Sequence, residues 1–330
     1  MNKTADLHVH THLSDGTFTP EKVVEYAKAN GLSAIAITDH DCCCAITPAI
    51  LAAKDLDVEI IPGVELTAEV DDTEIHILGY FIDWQDDWFA RKLKEISKVR
   101  EERAKEILKR LRKHGVDISD DELFELSGPG SVGRLHIAQL LYKKRCTSSI
   151  GQAFTKYIGN GGSCYVKKFK LTPEEAVDMI RRVGGISVMA HPKTIAIQNK
   201  SIEDVVALLA KNGVRGIEVY HSDHSLKNEK AFKALAEKYN LLITGGSDCH
   251  GFGKREVLIG KVKIPYELVE NLKKALTNNA VFVNLERAGR EVVMATAKWE
   301  APAAIQTALS TELNALGNGS YSAASAAIDN

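Results

Sequence analysis

The chain has 330 residues, 45% of them hydrophobic and 26% charged, enough for one barrel-sized domain and a smaller piece. A formal charge of -2 gives no general pull towards nucleic acid or anionic membrane, so no stable DNA binding is expected and affinity for a phosphorylated ligand must come from a local site. Apolar runs shorter than a membrane span, and no apolar signal core after Met1, point to a cytoplasmic protein with no membrane partner.

The first stretch, Ala5 to Gly16, alternates as a strand and ends in residues that bind metals. A period of two puts His8 and His10 on one face and Leu7 and Val9 on the other. Thr19-Pro20-Glu21 then opens a helix that Asn30-Gly31 ends. A buried strand over 34–38 leads into Asp39-His40-Asp41, and a second helix covers about 48–54. The strand over 58–62 ends in Gly63-Val64-Glu65, and the run 74–80 alternates as a strand carrying His76. This rhythm points to a mainly parallel sheet covered by helices.

The rhythm stops near Trp84. From Asp86 to about His114 one long helical pattern runs, with Phe89, Leu93, Ile96, Ile107, Leu108 and Leu111 on its apolar face. Its charged cover reads as a solvated face, with a basic rim for an anionic substrate as the alternative, since Lys105 to Lys113 hold five basic residues and one acid. Helices over 119–126 and 134–143, separated by Gly128-Pro129-Gly130, complete a helical insertion. The rhythm resumes with a capped helix at Thr172-Pro173-Glu174-Glu175. Strand 186–190 leads into His191-Pro192, helix 202–211 follows, and strand 216–220 precedes His221 and His224. Helix 228–239 precedes strand 241–244, which runs into Gly246-Ser247-Asp248-Cys249-His250-Gly251, and a last helix spans 265–276. The final thirty residues hold nine alanines and two charges, Glu312 and Asp329. They read as a disordered or loosely docked extension foreign to the catalytic unit, or else as an oligomerisation helix.

Nine residues, His8, His10, Asp15, His40, Glu65, His76, His191, Asp248 and His250, fall at or just past predicted strand ends, nearly all of them carboxyl ends. In a parallel (β/α) barrel those ends share the face that carries active sites. Six imidazoles and three carboxylates without thiolate suit Mn, Fe or Zn, and nine ligands suffice for two or three ions sharing a bridging carboxylate. Such a cluster supplies hydroxide near neutral pH and neutralises phosphoryl oxygens. Cys249 points away from its neighbours in an extended segment, and the six cysteines, with no CxxC pair, read as reduced thiols.

His8-x-His10, Thr38-Asp39-His40-Asp41, Gly63-Val64-Glu65, the His76 strand, Ala190-His191-Pro192 and Gly246-Ser247-Asp248-x-His250-Gly251 together resemble the ordered motifs of the PHP (polymerase and histidinol phosphatase) family. The resemblance covers about residues 4 to 285. It implies an α/β fold, a distorted (β/α)7 TIM-like barrel with a small helical insertion domain, and a centre of three divalent metal ions. By position, His8, His10, Glu65 and Asp248 would hold one ion, and Glu65, bridging, with His76 and His191 the second. Asp15, His40 and His250 would hold the third. The implied division is barrel over 1–88, substrate-capping helical insertion over 89–165, barrel again over 166–286, and the tail over 287–330.

The insertion containing Gly133-Arg134-Leu135-His136 is similar to that of the group acting on nucleoside phosphates. The implied activity is metal-dependent hydrolysis of a terminal phosphate from a 3',5'-bisphosphonucleotide or nucleoside monophosphate, with a metal-bridging hydroxide as the attacking group. Alternatives are 5'-3' exonuclease action on short RNA, histidinol phosphatase, and a nucleotide-binding barrel without turnover. Glu65, Asp248, His191 and Arg134 are expected to carry catalysis, with Arg134, His136 and His224 contacting substrate. A guanidinium clamps phosphate bidentately, though Arg134 also fits an ordinary helix start. His12, His114 and His221 are read as non-ligands. The chain departs from the group at Leu135, where Pro is usual, at Cys249, where an aromatic residue is usual, and at Cys42-Cys43-Cys44, expected to expose three oxidisable thiols.

Overall fold

A computed structural model describes residues 3–277 except 129, 168–170 and 254–255, so the 287–330 tail lies outside the described residues. The described residues belong to one compact unit. Its elements follow in order: β1 (Thr4–Val9), α1 (Pro20–Ala29), β2 (Ala34–Ile37), α2 (Ile46–Ala53), β3 (Glu59–Val70), β4 (Thr73–Tyr80), α3 (Asp87–Lys113), α4 (Asp120–Ser127), α5 (Arg134–Lys143) and α6 (Ile150–Ala153). A π-helical turn, Phe154–Ile158, extends α6. Then come α7 (Pro173–Arg182), β5 (Ile186–Met189), α8 (Ile202–Lys211), β6 (Gly216–His221), α9 (Leu226–Lys238), β7 (Leu242–Gly246), β8 (Ile264–Pro265) and α10 (Glu267–Thr277). Side-chain caps begin the helices as the sequence suggests. Thr19 accepts from the Lys22 amide ahead of Pro20, and Thr172 and Glu175 form a reciprocal capping box.

The strands form one sheet in the order β7-β6-β5-β4-β3-β2-β1-β8. It closes beyond β7, where the Asp248 amide donates to His8 O at 2.8 Å and the His10 amide to Cys249 O at 3.0 Å. A Cβ on Gly246 would stand 2.3 Å from the His8 nitrogen, so the closing approach requires glycine there. The result is the expected distorted α/β barrel of seven strands, with two-residue β8 laid antiparallel on the start of β1.

The distortion has a local cause. No helix separates β3 from β4; they are joined by Asp71 and Asp72, both with positive φ (47° and 60°), the conformation of a tight primed hairpin turn. β4 therefore runs antiparallel to both β3 and β5, while the other pairs between β1 and β7 are parallel. β3 also does not stop at Pro62 but runs on to Val70, twelve residues in all. This corrects the expectation of strand ends: Glu65 lies mid-strand, and His76 reaches the rim from the amino half of β4 because that strand is reversed. The last helix begins at Glu267, since Pro265 belongs to β8.

The apolar residues divide into two clusters. One fills the space between sheet and helices and includes Phe89 and Leu93 from the start of α3. The other takes Ala104, Ile107, Leu108 and Leu111 from the far half of the same helix and packs them on Leu123, Ile137, Leu141, Tyr157 and Ile158. One 27-residue helix, about 40 Å long, thus ties a small helical layer to the barrel. Among the described residues no helix is long and apolar enough to cross a membrane.

Candidate metal centre

All nine predicted ligands meet on one rim of the barrel. Glu65, buried at its centre, divides its two oxygens. Oε2 faces His8 Nε2 at 3.2 Å, His10 Nε2 at 3.1 Å and His40 Nδ1 at 3.3 Å, while Oε1 faces His76 Nδ1 at 2.9 Å and His191 Nε2 at 3.0 Å. Asp248 Oδ1 lies 3.5 Å from His8 Nε2 and 3.2 Å from His10 Nε2. Asp15 stands on the other side, with Oδ1 3.2 Å from His250 Nε2 and Oδ2 3.8 Å from His40 Nε2. The donors fall into overlapping sets, His8-His10-Glu65-Asp248, His40-Glu65-His76, His10-Asp15-His40-His250 and His8-Glu218-His221, each compact enough to surround one ion; His40 stands in the second set where His191 was expected.

These residues fit metal rather than a protein-only network. His8 Nε2, both ring nitrogens of His10, and His40 Nδ1 are buried without a properly directed hydrogen bond. Buried polar atoms are seldom left so, and here their open sides converge on carboxylates. Burial pushes the Glu65 carboxyl up, but His40, His8 and His76 more than offset this and hold it well below its ordinary value. Burial likewise pulls His40 down to about 3, against Glu65 and Asp15, whereas the adjacent Asp248 and Glu65 carboxylates overcome burial at His10 and raise it to about 10.

A second layer of polar residues fixes the first. Asp39 accepts from the Thr11 amide and hydroxyl, both at 2.7 Å, and from Ser14 Oγ at 2.5 Å, pinning the loop that carries Asp15. Asp41 accepts from the Thr67 amide and from Arg100 Nε at 2.6 Å, so α3 braces the turn that presents His40. Glu218, fully buried in β6, spans His8 Nδ1 at 3.0 Å and the His191 amide at 2.7 Å. His191 needs that hold, because its φ is +25°, a strained value for a residue with a side chain.

Beside the cluster opens a cavity of about 200 Å³. Its lining brings Asp15, His40, His76 and Glu74 together with Arg100, Arg103, Arg134 and Phe154. Arg134 donates to Glu74 at 2.9 Å, and its guanidinium lies 5.7 Å from the centre of the Phe154 ring. Arg103 Nη2 is buried without a hydrogen-bond partner, and burial with the neighbouring Arg134 lowers this guanidinium to about 10. A larger depression of about 650 Å³, lined by Tyr142, Lys143 and Arg145, holds none of the candidate ligands.

Known proteins agree with this geometry. The family model of the PHP domain matches residues 6–288. The chain belongs to the PHP domain family. It is 34% identical over 247 residues, 74% of this chain and 84% of the relative, to the 5'-3' exoribonuclease Rnm of Escherichia coli. It is 32% identical over 255 residues, 76% of this chain and 90% of the relative, to the 3',5'-nucleoside bisphosphate phosphatase of Chromobacterium violaceum. Among solved structures, one from Bifidobacterium adolescentis described as a metal-dependent phosphoesterase superposes with a TM-score of 0.75 at 27% identity, covering 81% of this chain and 94% of that one. Like its relatives, this PHP domain is a metal-dependent phosphoesterase, a hydrolase.

The remaining sequence-level candidates in the PHP domain are placed differently. Arg134 lines the cavity. His136 is buried and accepts from the Gly133 amide at 3.0 Å, a capping role that keeps it off the cavity wall. His224 lies behind His221 with its ring tilted and meets the Phe232 ring edge-on, with Nδ1 on Val219 O. Cys249 is buried in the main core, its sulfur accepting from the Gly251 and Leu258 amides. The three-cysteine expectation needs correction: Cys42 is buried and Cys43 half-buried, so only Cys44 is exposed, because Cys42 turns inward and accepts from the Cys44 amide. Sequence reasoning missed Glu218, His221, Arg103 and Glu74. A charged residue inside the otherwise apolar run Gly216-Ile217-Glu218-Val219 was a usable signal; nothing in the pattern marked the others.

Proposed function

We propose that this PHP domain removes a terminal phosphate from a small nucleotide that carries a second anionic group, with a 3',5'-bisphosphonucleotide as the favoured substrate and a nucleoside monophosphate next. The observation that carries this reading is a cavity whose lining joins three of the candidate metal ligands to three arginines. Divalent ions held by the nine ligands would neutralise phosphoryl oxygens and make hydroxide available near neutral pH. The three donor sets linked through Glu65, His10 and His40 would accommodate three ions, and the imidazole-carboxylate chemistry suits Mn, Fe or Zn. The chain's own residues do the rest. Glu65 ties two of the sets together, Asp248 completes one of them, His191 stands on Glu65 Oε1 beside His76, and Arg134 with Arg103 holds the phosphate that does not react, while Phe154 offers a flat apolar face to sugar or base. The helical layer caps the site and excludes water.

A second reading, 5'-3' exonuclease action on short RNA, is favoured by the identity to the Escherichia coli relative, since the same arginines would hold the next phosphate of a chain. One experiment separates the two. Protein of measured metal content is given 3'-phosphoadenosine 5'-phosphate, AMP and a short 5'-phosphorylated RNA, and products are identified by mass. Release of phosphate from the bisphosphonucleotide with the RNA intact supports the first reading; mononucleotides from the RNA support the second. Metal-loaded protein inert towards all three would refute both and leave a binding barrel without turnover.

A further inference from the structure

His221, read from sequence as a bystander, ends β6 buried beside the cluster, with Nε2 3.5 Å from Asp248 Oδ2. The turn that follows decides what that nitrogen does. The His224 amide donates to His221 O at 3.0 Å, closing the turn, and the Asp223 amide donates to His221 Nδ1 at 3.1 Å. An imidazole nitrogen that accepts from an N–H carries a lone pair there, so the ring proton of neutral His221 sits on Nε2. That nitrogen is buried and makes no hydrogen bond of good geometry, and the Asp248 carboxylate lies before it, with Oδ2 3.5 Å away. Asp248 is thus approached from two sides, Oδ1 by His8, His10 and His250 and Oδ2 by His221.

We propose that His221 is a positioning residue, not a ligand: locked by the Asp223 amide, it donates its Nε2–H to Asp248 Oδ2 and holds that carboxylate with Oδ1 towards the metal. The inference rests on the metal-centre reading above. Partners of this kind fix the orientation of a liganding group, and their loss costs about 10- to 100-fold in metal affinity.

Two variants of the full chain test it. His221→Asn keeps an acceptor within reach of the Asp223 amide but cannot reach Asp248, whereas His221→Gln extends an N–H to about the place of Nε2. Affinity for Mn2+ and Zn2+ is measured by chelator competition, with thermal unfolding of the metal-stripped proteins alongside. The expected result is at least tenfold weaker metal binding in His221→Asn, near-wild-type binding in His221→Gln, and stripped proteins that melt together with the wild type. Unchanged affinity in His221→Asn overturns the proposal. Equal loss in both variants overturns it in favour of direct ligation by the ring. Loss of affinity that tracks a lower melting temperature of the stripped protein reduces His221 to a structural role. A wild-type protein that takes up neither ion would refute the metal centre itself, which the same titration shows separately.

Discussion

Glu218 Oε1 lies 3.0 Å from His8 Nδ1, with both side chains fully buried. A carboxylate there accepts a hydrogen bond from Nδ1–H, which keeps the ring proton on Nδ1 and leaves the Nε2 lone pair to face Glu65 and Asp248. Glu218→Gln presents an N–H to the same ring atom and drives the proton to Nε2. Metal affinity is expected to fall about 10- to 100-fold, read by chelator competition. An unchanged affinity would show that Glu218 serves only the His191 amide.

Glu65 is the one residue whose two oxygens face both halves of the ligand set. Glu65→Gln should remove at least one ion per chain by elemental analysis and lower phosphate release on the order of 10³-fold, the scale seen when a main electrostatic group is lost. Full metal content with normal turnover would take Glu65 out of the bridging position.

Arg134 and Arg103 face the cavity without touching the cluster's central carboxylate. Truncating either to Ala should raise KM roughly 10- to 100-fold with kcat little changed, because a charge-assisted bond to a non-reacting phosphate stabilises ground and transition states alike. A fall in kcat at constant KM would move the residue onto the transferring group.

Asp39 satisfies three donors of the Thr11–Ser14 loop. Asp39→Ala strands them in a buried place, so metal-stripped protein should lose about 2–4 kcal/mol in denaturant unfolding. Loss of metal without loss of stability would indicate that Asp39 acts on the site alone.

Cys44 is exposed, and its hydrogen bond with the Cys42 thiol lowers it to about 7, while Cys42 is pushed far up. The thiolate reacts, so alkylation at Cys44 should rise about tenfold per pH unit below 7 and level off above it. Peptide mass spectrometry after brief iodoacetamide treatment at pH 7 should find label on Cys44 and not on Cys42. Equal labelling of both would contradict the inward turn of Cys42.

Much of the site was legible because metal chemistry restricts residue types. Histidines and carboxylates recurring at strand ends needed no coordinates to suggest a shared rim, and a strand period of two separated His8 and His10 from Leu7 and Val9. The caps at Thr19 and Thr172 were equally local, since a hydroxyl three residues from an amide depends on nothing distant. Arg103 and Glu74 were not legible, because an arginine on a charged helix and an acid in an exposed hairpin look like solvated residues until α3 folds back over the rim.

What the sequence determined by itself was the ligand chemistry and the order of elements, because both rest on residue type and short-range spacing. Tertiary structure alone decided that β4 runs backwards and so brings His76 from the start of its strand to the rim, that Glu218 sits under His8 some 210 positions away, and that the His221 proton faces Asp248. Those are facts of register and approach between distant segments. They follow from how the barrel closes, a property no local window contains.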